Sequence, residues 1–70
     1  MENKYYKLLV HFQRNEKIMR KRLLRINGIT EELIDTALEH EYIIVTTPTI
    51  DGDIRYMITE NGIRKRDEKH

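Results

Sequence analysis

Lys17, Lys21 and Arg25 recur every four residues, the spacing that stacks side chains along one face of an α-helix. Arg20 and Arg22 flank them, and Arg14 lies just upstream. Like charges at this spacing cost a few tenths of a kcal/mol per pair in an isolated helix, roughly 0.2–0.5. Only Glu16, four residues before Arg20, offers compensation within the segment. Such a stripe suits an anion, either the phosphate backbone of a nucleic acid or an acidic protein face. The competing reading is a solvated face, neutralised within the fold by nearby acids. Arg55 and the basic cluster Arg64, Lys65 and Arg66 are further candidates for phosphate contact, although the cluster reads first as an ordinary solvated tail.

The opposite chemistry follows in "GITEELIDTALEHEYI", residues 28–43, which holds five acids and neither Lys nor Arg. Direct base readout depends mainly on Arg, Lys, Asn and Gln, and carboxylates are repelled by the phosphates that wall a groove. Glu31, Glu32, Asp35 and Glu39, with Asp51 and Asp53 further on, suit a basic protein surface instead. Glu31, Glu32 and Asp35 could be imagined around a divalent cation, but acids in the first turn of a helix are accounted for by the helix dipole.

Little else in the chain can do chemistry. There is no Ser and no Cys, so the two commonest side-chain nucleophiles are absent. His11, His40 and His70 are scattered, with no metal-ligand spacing, and no Gly-rich phosphate loop is present. The expectation is a binding protein, not an enzyme, with no metal and no cofactor.

These side chains must be positioned by a few short elements. Tyr5, Leu8, Leu9 and Phe12 form a helical stripe, which predicts a first helix over about residues 2–14. Asn15 and Glu16 can start a second helix, with Ile18, Met19, Leu23, Leu24 and Ile26 as its apolar side, stopped by Asn27-Gly28. Thr30 caps a third helix, whose inner stripe is Leu33, Ile34, Ala37 and Leu38. "YIIVTT" and "IRYMIT", residues 54–59, then read as two strands joined through Asp51-Gly52, with Ile54, Tyr56 and Ile58 on the inner face. Thr59 can cap a short last helix over about 60–68, interrupted by Gly62, before a tail that frays over about 66–70.

Composition bounds the rest. Seventy residues allow one domain, 1–70, with a small core. The longest apolar run is four residues, Tyr42 to Val45, too short for a membrane span. The absence of Cys and of an N-terminal signal gives a cytoplasmic expectation. Charged residues make up 36% of the chain although the net charge is only +1, because the signs are segregated. Residues 1–25 carry eight bases against two acids, and residues 26–54 carry seven acids and no base. Segment charges therefore carry the information about partners that the net charge hides.

The order helix, helix, helix, strand, turn, strand, short helix resembles the winged helix-turn-helix superfamily. The resemblance is carried by "LLRINGIT" for the second helix, turn and third helix, by "ALEHEYI" for the entry to the hairpin, and by "RYMITENG" after it. The last string is similar to the Tyr-x-Leu/Ile-Thr-Glu-x-Gly closing signature of PadR- and MarR-type winged helices. It implies an α+β fold of three helices, a two-stranded hairpin wing and a short C-terminal helix. It also implies a bacterial, phage or prophage DNA-binding regulator. In one respect the chain departs from the pattern: the third helix is about a turn shorter than usual, with Glu41 where a Gly is common.

Three readings stay open. The first is a nucleic-acid-binding regulator using the second helix instead of the third, through Lys17, Lys21, Arg22 and Arg25. The second is a protein-interaction module, such as a phage-type inhibitor, that binds a basic protein surface through its acidic third helix and wing. The third is a homodimer or larger homo-oligomer, in which the basic side of one copy meets the acidic side of another.

Overall fold

The computed structural model describes residues 3–46 and 52–68. Four helices and a small sheet build an α+β fold, in the order α1 (Tyr6–Leu9), β1 (Ile18–Met19), α2 (Arg20–Leu24), α3 (Glu31–Glu39), β2 (Ile43–Val45), β3 (Arg55–Ile58) and α4 (Glu60–Arg66). The sheet is antiparallel, with β3 between β1 and β2.

The first two predicted helices are shorter than their apolar patterns suggest. The stripe Tyr5, Leu8, Leu9 and Phe12 is buried as expected, but α1 closes after one turn, through the tighter bonds His11 N–H to Leu8 O and Phe12 N–H to Leu9 O. Asn15 does not cap a helix; its φ of 67° turns the chain in the left-handed region. Ile18 and Met19 then run extended and pair with Tyr56 and Arg55, which makes the sheet three-stranded instead of two-stranded. Helix α2 starts only at Arg20, so Lys17 lies outside it. β-branched Ile18 packs better on a pleated sheet than in a helix, and a vacant ladder edge on β3 decides the matter.

The later elements follow their local signals more closely. Thr30 Oγ1 accepts from Leu33 N–H at 3.2 Å, and Thr59 Oγ1 accepts from Gly62 N–H at 3.0 Å, so both predicted N-caps form. Ile34 and Ala37 are buried, and Leu33 and Leu38 pack partly against the core. In the hairpin Ile43 faces Ile58, and Ile44 faces Met57. Tyr56 and Ile58 point inward, but Ile54 precedes β3 and is 47% exposed, contrary to the predicted inner face. Residues 47–51, including Asp51 and most of the predicted turn, lie outside the described residues, as does His70.

Two local devices fix how α3, the hairpin and α4 meet. Glu41 N–H bonds Leu38 O, Tyr42 N–H bonds Ala37 O, and Glu41 has a φ of 60°. This is a Schellman C-cap with Glu at the left-handed position that glycine usually fills. Gly62, which weakened the sequence case for a last helix, is what lets α4 dock. A Cβ there would lie 2.0 Å from the Tyr42 carbonyl oxygen and 2.7 Å from Ile58. The tail is anchored through Arg66, whose Nη1 donates to Phe12 O at 2.9 Å.

The core gathers Leu8, Leu9, Phe12, Leu23, Ile34, Ile43 and Tyr56, each at most 1% exposed. Burying each such side chain contributes about 1.5–3 kcal/mol. No helix among the described residues is long and apolar enough to cross a membrane.

Candidate nucleic-acid interface

The basic stripe is divided by the fold. In α2 Leu23 is buried, which turns Lys21 and Arg22, with the capping Arg25, to solvent. Arg20 lies on the inner side. Its Nη1 donates to the hydroxyl of buried Tyr56 at 2.8 Å, and it sits 3.6 Å from Glu31 and 3.7 Å from Asp35 of α3. Those two ion pairs are longer than hydrogen bonds, so the attraction is chiefly coulombic. The Tyr56 hydrogen bond, followed by the two carboxylates, raises the Arg20 pKa further.

Lys21 is drawn toward the hairpin, with Nζ 3.3 Å from Asp53. Between them lies an open cleft of about 250 Å³, lined by Arg20, Lys21, Leu24, Gly52, Asp53 and Ile54. Lys17, Arg22 and Arg25 are exposed and make no ion pair with another described residue.

The other candidate bases have partners of their own. Arg55 donates to Met19 Sδ at 3.4 Å beside the sheet. Arg64 donates to Asn61 on its own helix, and Lys65 pairs with Glu68 at 3.0 Å, which raises its pKa. Arg66 holds Phe12 O and Asp67. Arg66 and the Lys65 carbonyl, to which Asn3 Nδ2 donates at 2.6 Å, thus tie the end of α4 to the N-terminal segment, while the Arg64 side chain stays exposed. Arg14 pairs with Glu60 of α4, whose carboxyl is held below its ordinary range by that hydrogen bond.

On α3 the buried Ile34 and Ala37 turn Glu32 and Glu39 outward, and neither pairs with a described base. His40 stacks on Tyr42 at 5.3 Å, with Tyr5 edge-on to both rings. Among the described residues no three His, Asp or Glu side chains gather as metal ligands.

Two features escape a reading by spacing alone. Arg20 ties α2 to α3 and to the sheet through partners remote in sequence. Lys4 and Lys7 line a second cleft, of about 200 Å³, beside Gly28, Thr30 and Glu32. Their place in the basic N-terminal segment was the one signal available. No protein-family model, curated protein or solved structure matches the chain.

Proposed function

We propose that this chain is a small winged-helix module that binds nucleic acid through the exposed side of α2. The carrying observation is that Arg22 of α2 and its C-capping Arg25 stand in solvent with no described ion-pair partner, on the helix that also carries Lys21. Phosphates supply such a face with matching charge and release counterions on binding. A third helix that is short and acidic makes base-edge contact unfavourable, so the binding is dominated by the backbone and reads little sequence. The element order and the central β3 are compatible with a winged helix, the hairpin being its wing. The test is a titration of labelled duplex across salt. Affinity should fall steeply with ionic strength, and no binding at about 50 mM salt overturns the reading.

A second reading is favoured by Glu32 and Glu39, which are exposed and lack described ion pairs. Here α3 docks on a basic protein surface, as an inhibitor occupying a nucleic-acid groove would. Glu32→Lys with Glu39→Lys then destroys partner capture while duplex binding by α2 is retained.

A further inference from the structure

Two Asn-Gly pairs occur in the chain, Asn27-Gly28 and Asn61-Gly62, and the fold treats them differently. In such a pair the following backbone nitrogen reaches the side-chain amide with least obstruction, because Gly has no Cβ. Asn61-Gly62 lies in the first turn of α4, where both reacting groups are engaged. Asn61 Oδ1 accepts from Arg64 Nη2 at 3.0 Å, and Gly62 N–H donates to Thr59 Oγ1 at 3.0 Å. Gly62 is also buried against the Tyr42 carbonyl, so ring closure there has to dismantle the start of the helix.

Asn27 and Gly28 lie in the turn between α2 and α3, after the C-capping Arg25 and before the N-capping Thr30. Both are exposed, and among the described residues neither the Asn27 side chain nor the Gly28 N–H has a hydrogen-bond partner. Gly28 has a φ of 92°, and a Cβ there would meet only Lys7 Cδ, at 4.0 Å. We infer that Asn27 is a site of spontaneous deamidation, and that the acid formed there weakens anion binding by α2. The Gly28 nitrogen attacks Asn27 Cγ, the Cγ–Nδ2 bond breaks, and ammonia leaves with the Gly28 amide proton. Water then opens the succinimide at either carbonyl, giving aspartate or isoaspartate with no change of oxidation state. Each event places a negative charge two residues from Arg25, and the isoaspartate product also adds a methylene to the backbone of the turn. The effect on α2 rests on the nucleic-acid reading above, whereas the deamidation does not.

Peptide mapping by mass spectrometry, after the full chain is held in warm, mildly alkaline buffer, tests the site. Asn27 should lose its amide while Asn61 keeps its own. The same incubation in concentrated guanidinium chloride should bring both pairs to similar conversion, because only the fold separates them. No conversion at Asn27 in the folded chain, or conversion at Asn61 that matches it, overturns the site. Asn27→Asp, with a melting curve to confirm its fold, tests the effect on α2. Its affinity for labelled duplex should be roughly two- to fivefold below wild type at about 50 mM salt, the deficit shrinking as salt rises. Asn27→Gln, which keeps the charge unchanged, should bind as the wild type does. Unaltered affinity in Asn27→Asp overturns the link to α2. A wild type that binds no duplex overturns the nucleic-acid reading and that link together, and the mapping still decides the site.

Discussion

Arg20 Nη1 donates to the Tyr56 hydroxyl at 2.8 Å, which joins the first turn of α2 to the middle strand of the sheet. Tyr56 is 1% exposed with Arg20 in place, so its hydroxyl is covered and satisfied by that guanidinium. Tyr56→Phe should cost about 1–2 kcal/mol, allowing for the part-exposure of the guanidinium. Arg20→Met should cost more, because it leaves the hydroxyl unpaired and frees Glu31 and Asp35. A thermal-melt double-mutant cycle checks this, at roughly 4–8 °C of shift per kcal/mol for a domain this small. Additive losses from the two changes would show that the pair is not coupled.

Glu41 occupies a left-handed position with a φ of 60°. Relative to glycine, any side chain with a Cβ is strained there. Glu41→Gly should therefore stabilise the fold by roughly 0.5–1 kcal/mol, even though it adds backbone freedom to the unfolded chain. Denaturant unfolding should show a higher midpoint with an unchanged slope.

Gly62 predicts the reverse. In an isolated helix Gly62→Ala would gain about 1 kcal/mol from propensity. Here the new Cβ would lie 2.0 Å from Tyr42 O, so α4 must lift off the hairpin. We expect a net loss of about 2 kcal/mol or more, read as a lowered melting temperature. An unchanged or raised value would mean that α4 docks more loosely.

Thr59 does more than cap. Its hydroxyl accepts from Gly62 N–H and faces the carbonyl oxygens of Glu41 and Tyr42, whereas Thr30 only caps α3. Thr59→Ala should cost up to about 2 kcal/mol and Thr30→Ala about 1. Thr59→Ser should recover most of the loss in the same melts.

The Glu60 carboxyl is depressed chiefly by its hydrogen bond from Arg14. A depressed acid contributes stability above its unfolded pKa, about 4.3, and loses it as pH falls through the folded value. The advantage of the wild type over Arg14→Gln should thus be present at neutral pH and shrink below about pH 4. Melting temperatures of both chains across that range check the sign.

On α2, Arg22→Ala with Arg25→Ala should lower the slope of log affinity against log salt by about two, if each base neutralises one phosphate. Arg64→Ala, on the α4 side, should leave that slope unchanged. Equal effects from both would move the contact away from α2.

Local chemistry in the chain was enough to place α3, both Thr caps, the hairpin strands and the inward stripe of α1. Each of those signals depends on residues within a few positions of one another: a hydroxyl three residues before an amide, or apolar side chains at a helical period. The segregation of charge was equally legible, since it is a property of the segments themselves. Ile18 and Met19 carried the same apolar pattern for a helix or a strand, and only the free edge of β3 chose the strand. That choice removed Lys17 from the helical stripe. Which bases are spent and which remain was likewise decided by the tertiary structure. Arg20 meets Tyr56, Glu31 and Asp35, and Lys21 meets Asp53, across sequence separations that no periodicity encodes. Gly62 shows the same division. As a helix residue it is a defect by propensity, and only the approach of the Tyr42 carbonyl makes it a requirement.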